Sequence, residues 1–171
     1  MLRLSLKTSR AKVRAIALIG LLASTLPVLA ALYFQHKDGL VPCHLCLFQR
    51  ASFLAAATVF LVVLLHGPAG RVARWLYSIL GIVLTTTGLA SAGRQVWLQL
   101  LPADQVPSCG ASLDMMMDML PLGEVITRVF RGTGECAVVD WTLLGLSMAW
   151  WSLGFLALVA ILFLLLPFVR D

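Results

Sequence analysis

Two cysteines three positions apart lie in the stretch VPCHLCLFQR, between two long apolar segments. Cys43 follows directly after Pro42, Cys46 comes three positions later, and Arg50 comes four positions after Cys46. Proline suits the first turn of a helix, where its missing N–H needs no partner, so the pair is expected at a helix N-terminus. Unpaired N–H groups and the helix dipole stabilise a thiolate there. These residue types therefore indicate redox chemistry carried by two thiols.

Arg50 is expected on the same helix face as both sulfurs, because positions 43, 46 and 50 are spaced by three and four residues. A guanidinium so placed stabilises a thiolate and also an anion that forms on a bound acceptor. The alternative is that Arg50 only reaches out to lipid phosphates. The thiols on its face favour the functional interpretation.

Cys109 and Cys136 complete a set of four cysteines, which allows three pairings. Spacing favours Cys43 with Cys46 and Cys109 with Cys136. A bridge closing a loop of about 28 residues contributes about 3–4 kcal/mol, so the wide pair would serve well as a staple. A bridge across four residues contributes only about 2 kcal/mol before strain. The close pair is therefore a poor staple, and it indicates a redox centre or half of a metal site.

Zinc is the alternative for the close pair, with His36 and His44 as further ligands. An oxidising compartment works against free thiolates, and the sequence offers no second close pair of ligands. We therefore expect no metal.

The elements that must position these thiols are set by composition. The chain of 171 residues is 60% hydrophobic and 12% charged, with a mean hydropathy of +0.94, whereas soluble domains carry about 25% charged residues. A span needs about 20 residues to cross about 30 Å of hydrocarbon, and helices satisfy their own backbone there. We predict a single all-α membrane domain, a four-transmembrane-helix bundle over 1–171. Its helices are expected at 13–34, 47–65, 72–93 and 143–169, and its loops at 35–46 and 94–142.

The first segment could instead be a signal peptide cleaved after Ala30, but its apolar run exceeds the usual signal core. A short helix on the membrane surface is predicted in the long loop, because Leu113, Met116, Met117 and Leu120 recur at helical spacing. Pro121 should stop or kink this helix.

Sidedness follows from lysine and arginine. They concentrate in the N-terminal tail, in the connection after the second segment and at the C-terminus: Arg3, Lys7, Arg10, Lys12, Arg14, Arg71, Arg74 and Arg170. Both termini are therefore expected in the cytoplasm, and all four cysteines on the opposite side. The net charge of +5 reflects this topology, so nucleic acid is not implied as a partner.

Five motifs together resemble the bacterial disulfide bond formation protein B (DsbB) family, the quinone-linked thiol oxidoreductases of the inner membrane. They are YFQH (33–36), PCHLCLFQR (42–50), WLQL (97–100) followed by Cys109, GECA (134–137) and WTLLGLSMAWW (141–151). The resemblance spans nearly the whole chain. A lone C-x-x-C would be weak evidence, whereas the five motifs together are specific.

The resemblance implies a relay of thiol exchanges. A periplasmic thioredoxin-fold oxidant of the DsbA type would arrive reduced and attack Cys109, leaving electrons on Cys109 and Cys136. Cys136 would exchange with Cys43, which frees Cys46 as a thiolate beside Arg50. Closure of the Cys43–Cys46 bridge would then deliver two electrons to ubiquinone or menaquinone from the membrane pool.

One departure concerns the quinone site, where members of the family can carry a histidine near the outer end of the third helix. The stretch AGRQVWLQL has Gln95 at that position. Either Arg94 or Gln95 is expected to supply the hydrogen bonding. Gln95 could equally be an interfacial polar residue with no special role.

Two rival functions stay open at this point. One is a quinone reductase of the vitamin K epoxide type, although in that family the close cysteine pair belongs to the last helices. The other is a non-catalytic tetraspan assembly protein whose loop cysteines are staples.

Overall fold

The structure is a computed structural model of the chain. It describes residues 2–39, 42–102, 104–107, 115, 118–131 and 134–169, with side chains described from Ser9 onward except at 126 and 128–131. Cys109 and three residues of the predicted surface helix, Leu113, Met116 and Met117, lie outside the described residues.

Long helices dominate the described chain. In order, the elements are α1 (Leu2–Asp38), α2 (His44–His66), α3 (Arg71–Gln99), α4 (Leu122–Arg131), β1 (Thr142–Leu143), β2 (Leu146–Ser147) and α5 (Met148–Leu165). Single 3-10 turns lie at Gly134–Cys136 and Leu166–Phe168. Within the described ranges, four helical segments are long and apolar enough to cross a membrane: Ser9–Asp38, His44–His66, Arg71–Gln99 and Met148–Phe168. The predicted all-α fold with four membrane helices is confirmed.

The helices extend beyond the apolar stretches that predict them. The second begins at His44 rather than Leu47, and the third continues to Gln99 rather than ending at Gly93. Polar residues near these helix ends make contacts inside the bundle. The helices therefore continue beyond the points at which hydropathy falls.

The last helix begins later than its apolar stretch, at Met148 instead of Leu143. A two-stranded antiparallel hairpin pairs Thr142 with Ser147 and Leu143 with Leu146. Its turn has positive φ at Leu144 (54°) and Gly145 (79°), and a left-handed backbone cannot continue a right-handed helix.

The long connection carries helical residues on both sides of Pro121. Met115, Asp118 and Met119 are helical, Leu120 lies at a bend, and α4 begins directly after the proline. Val125 of α4 is buried, and it packs against Phe48 of α2. The proline therefore ends one helical segment and starts another.

The four long helices pack in the order α1–α2–α3–α5, and α5 also contacts α1. At mid-bundle, the rings of Phe60 and Phe163 stack 3.9 Å apart at an interplanar angle of 7°. Each ring covers a glycine of a neighbouring helix, Phe60 over Gly20 and Phe163 over Gly81. Small residues at such crossings let helices approach closely, which is how membrane helices gain packing without a hydrophobic driving force.

Gly81→Ala is expected to destabilise the bundle by about 1–3 kcal/mol, the usual cost of overfilling a packed core. A methyl group at Gly81 would overlap the Phe163 ring, and Phe60 blocks that ring on its other face. The thermal unfolding midpoint in detergent measures the effect. Gly154→Ala in α5 is the matched control, since its methyl group would enter open space. Equal midpoints for the two variants would contradict this packing argument.

A buried arginine joins three parts of the chain at the bundle end opposite the close cysteine pair. Arg74 of α3 is 2% exposed. Its Nη1 donates to Ser9 Oγ of α1 at 3.2 Å and to the main-chain carbonyl of Val169 at 2.6 Å. The first helix, the third helix and the end of the chain are thereby held together.

Candidate active site

The close cysteine pair lies where α2 begins. Cys43 is the N-cap residue with extended backbone (φ −69°, ψ 166°), and Cys46 is in the first turn. Their sulfurs are 2.8 Å apart, close enough for a small side-chain movement to join them. Pro42 precedes the N-cap and is not within the first turn as predicted. The expected location at a helix N-terminus nevertheless holds, so the free N–H groups favour negative charge on Cys46.

Cys136 brings a third sulfur to the same place. It ends the 3-10 turn Gly134–Cys136, is fully buried, and packs against Cys43, Leu45 and Leu98. Hydrogen bonds with Cys136 and then Cys46, followed by burial, raise the pKa of Cys43 above its ordinary value. Cys43 therefore contacts a sulfur on each side and keeps its proton when the cluster is reduced. Cys43 and Cys46 are present as free cysteines.

A pair of buried glutamine side chains faces the two sulfurs. Gln49 Nε2 of α2 donates to Gln95 Oε1 of α3 at 2.7 Å. The Gln95 Nε2 lies 3.4 Å from Cys46 Sγ and 3.5 Å from Cys43 Sγ. Gln95 was a candidate from the sequence, whereas a role for Gln49 was missed. The available signal was its position, three residues after Cys46 on the same helix face.

Arg50 is held by the first helix. Its Nη1 donates to Gln35 Oε1 at 2.5 Å, and its Nη2 lies 3.5 Å from the carbonyl oxygen of Ala31. Both acceptors are neutral, so the guanidinium keeps its full charge for another partner. Sequence reasoning missed Gln35 as a contact of Arg50, although it belongs to the YFQH motif.

Arg94 takes a different direction from its neighbour Gln95. Its guanidinium carbon lies 4.1 Å from the centroid of the Trp97 ring, a cation–π arrangement. The structure thus brings Cys43, Cys46, Gln95 and Arg50 together and directs Arg94 along the helix surface towards an exposed tryptophan.

A partly open cleft of about 840 Å³, a volume that includes open solvent at its mouth, joins these groups. The polar residues that line it include Cys43, Cys46, Gln49, Arg50 and Gln95, and also Gln99, Glu135, Asp140, Ser147 and Ser152. Its walls are largely apolar and include Pro27, Val28, Ala31, Phe53, Val138, Val139, Trp141, Met148 and Ala149. The cleft is bounded by the start of α2, the middle of α1, the last turns of α3 and the first turns of α5.

Within the part of the chain that the structure describes, no group of three or more histidine, cysteine, aspartate or glutamate side chains is arranged to hold a metal ion.

These features define the class: a multi-pass membrane protein with a dithiol, a third thiol and an arginine gathered at one end of its bundle. The family model for "Disulfide bond formation protein DsbB" matches residues 13–166. The chain therefore belongs to the disulfide bond formation protein B family, and its general role is in disulfide bond formation. This assignment places the chain in the family that its five sequence motifs resemble.

Relatives named "Disulfide bond formation protein B" match over most of the chain. The one from Chromohalobacter salexigens is 49% identical over 150 residues, covering 87% of this chain and 87% of its own. The one from Nitrosococcus oceani is 46% identical over 155 residues, covering 91% and 88%. The one from Marinobacter nauticus is 50% identical over 132 residues, covering 77% and 78%.

Proposed function

We propose that the protein oxidises a thioredoxin-fold thiol oxidant of the DsbA type and passes the electrons to a quinone of the bacterial inner membrane. Cys109 and Cys136 would take electrons from the partner, and Cys43 and Cys46 would deliver them. Arg50 and Gln95 would bind the quinone, with Arg94 as the weaker candidate because it turns towards Trp97.

The observation that carries the proposal is the place of Cys43 between two other sulfurs. On one side is Cys136, which belongs to the loop, and on the other is Cys46, which faces the cleft with Arg50. Disulfide exchange needs a sulfur to reach another sulfur directly. A cysteine that contacts both neighbours can pass a disulfide from the loop to the cleft.

The residues of the cleft fit a quinone. Its two carbonyl oxygens need hydrogen-bond donors, which Arg50 and the Gln95 amide supply, and its ring and tail need apolar walls. A bound quinone supplies a two-electron, two-proton acceptor. Arg50 lies close to the first turn of α2, which supports a role for it in stabilising negative charge that develops beside Cys46.

The chain's own groups would act in sequence. The Cys136 thiolate attacks Cys43 of the Cys43–Cys46 disulfide, and the Cys46 thiolate leaves. Helix N–H groups and Arg50 stabilise that thiolate. The Cys109 thiolate then attacks Cys136, which restores the wide bridge and releases Cys43. Reclosure of the Cys43–Cys46 bond gives up two electrons to the acceptor, and the two protons that it also needs equal in number those released when Cys136 and Cys109 became thiolates.

We further propose that both termini face the cytoplasm and that the thiol end faces the periplasm, as the lysine and arginine distribution requires. After reduction, a membrane-impermeant maleimide added to spheroplasts is therefore expected to label Cys46, the partly exposed member of the close pair. Mass spectrometry of the labelled peptides gives the readout, with detergent-solubilised protein as the control for total reactivity. A reporter fused after Asp171 that is active only in the periplasm would contradict this orientation.

The direct test of the function uses purified protein with ubiquinone-1 and a reduced DsbA-type protein. We expect the quinone absorbance to fall by one equivalent for each disulfide formed in the partner. Protein alkylated on all four cysteines beforehand is the control. Partner oxidation without quinone consumption would overturn the proposed acceptor, and quinone consumption with small thiols only would overturn the proposed partner.

A further inference from the structure

We infer that Gln49 is a positioning residue that fixes which end of the Gln95 amide faces the two sulfurs of the close pair. It holds the Gln95 amide so that the NH₂ group points at Cys46 and Cys43. This inference deepens the proposed function and rests on it, because it assigns a role to a residue that contacts the reacting groups only through Gln95.

The contacts around Gln95 define the orientation of its side-chain amide. Its Oε1 accepts from Gln49 Nε2 at 2.7 Å and, at the longer distance of 3.6 Å, from Cys46 Sγ, and its Nε2 lies 3.4 and 3.5 Å from the two sulfurs. Gln49 and Gln95 are 4% and 6% exposed, so water does not compete strongly for either amide. An amide has one donor end and one acceptor end. A Cys46 thiolate has no proton to donate to that oxygen, so with Oε1 held by Gln49 the amide group that can bond the thiolate is the NH₂.

A donor at this place favours the reduced, charged form of the pair. A thiolate accepts hydrogen bonds and cannot donate them, so an NH₂ group stabilises it and a carbonyl oxygen repels it. A hydrogen bond to a charged group is also stronger than one between neutral groups. A rotated Gln95 would present its oxygen to Cys46 and would reverse the effect.

The amide pair is one of several influences on the thiols. The titratable groups around them are Arg50 of α2, Glu135 and Asp140 of the loop, and the sulfur of Cys136. The glutamines differ from these groups because they are neutral at every pH. Their contribution therefore changes with orientation and not with protonation.

Stabilising the thiolate also makes the Cys43–Cys46 disulfide a stronger oxidant, because the reduced form gains free energy and the disulfide does not. Loss of the donor orientation is therefore expected to have two effects. The Cys46 thiolate should form at higher pH, and the pair should shift towards its disulfide in a thiol buffer.

The test uses the full chain carrying Cys109→Ser and Cys136→Ser, so that only the close pair titrates, in detergent without added quinone. Gln49→Met keeps the side-chain length and removes the donor, and Gln49→Glu, when ionised, can only accept, which turns the Gln95 NH₂ towards residue 49. The rate of Cys46 alkylation by iodoacetamide is measured against pH, with peptide mass spectrometry to locate the label. The equilibrium of the pair with glutathione is measured by trapping free thiols.

Ser52→Ala is the matched control. It removes another hydrogen bond between α2 and α3, from Ser52 Oγ to Thr87 Oγ1 at 2.9 Å, about one turn further from the thiols. It should weaken helix association to a similar degree without changing the group that faces the sulfurs.

We expect the alkylation midpoint to rise by about one pH unit in Gln49→Met, equal to about tenfold less thiolate below the midpoint, and by more in Gln49→Glu. The glutathione equilibrium should move up to about tenfold towards the disulfide, and Ser52→Ala should leave both readouts unchanged. An unshifted midpoint in Gln49→Met, or an equal shift in Ser52→Ala, would overturn the inference. Neither readout uses quinone or partner, so a failure of the proposed function would show separately in the quinone assay.

Discussion

Cys46→Ser is expected to abolish quinone reduction, with a loss of at least about ten-thousandfold, the scale on which removal of a nucleophile acts. Serine cannot form the bond to Cys43 whose closure releases the electrons. Its hydroxyl also keeps its proton where the thiol would be a thiolate. The rate of quinone absorbance loss with a reduced partner measures the effect.

The same variant should be trapped in a defined state. Cys43 contacts both Cys46 and Cys136, so once Cys46 is removed, the sulfur next to it is that of Cys136. We expect a Cys43–Cys136 disulfide, visible by mass spectrometry of non-reduced peptides. Cys43→Ser is the comparison, because it removes the shared sulfur and should leave no such bridge. Measurable quinone reduction by Cys46→Ser would place the electron exit at another residue.

Arg50→Met is expected to lower the rate of quinone reduction by about a hundred- to thousandfold, equal to about 3–4 kcal/mol of transition-state stabilisation. The guanidinium lies in the cleft one turn beyond Cys46, and its contacts with Gln35 and Ala31 leave its charge unneutralised. Arg50→Lys should be milder, because it keeps the charge and loses the planar fork. Steady-state rates at varied quinone concentration give the measurement.

Two further variants separate the charge of Arg50 from its orientation. Gln35→Leu removes the contact that fixes the guanidinium, so it should give a smaller loss than Arg50→Met. Arg94→Met tests the other arginine near the thiol end, which lies against Trp97, and it should have less effect than either. If Arg50→Met slows the exchange with the partner and spares quinone reduction, the arginine acts at the other end of the relay.

Much of the fold could be predicted because few backbone conformations are stable in lipid. A long apolar stretch must satisfy its backbone internally, so each one predicts a helix. The N-terminal location of the close thiols, and their shared face with Arg50, also follow from spacing along a single helix. Such information is local, and the sequence carries it directly.

Other features depend on how helices are rotated against one another. Arg94 and Gln95 are adjacent, so their side chains point about 100° apart around α3. Only the packing of α3 against α2 decides that Gln95 reaches the sulfurs and Arg94 reaches Trp97. The contact between Gln49 and Gln95 likewise joins two helices, and nothing in the sequence around either residue indicates that the two meet.

The start of α5 could not be predicted from hydropathy for a related reason. Leu143, Leu144 and Leu146 are apolar, and they continue the stretch that leads into the helix. The hairpin is set by the backbone at Leu144 and Gly145, where φ is positive. Leucine gives no sign of that conformation, because only the glycine favours it.

The buried Arg74 has a consequence for how freely the end of the chain can vary among related proteins. It recognises Val169 through the main-chain carbonyl, a group that almost any amino acid presents there equally well. Substitution at this position therefore costs the contact nothing, whereas deletion removes it. Selection at the C-terminal end should act on the number of residues after α5 more strongly than on their identity.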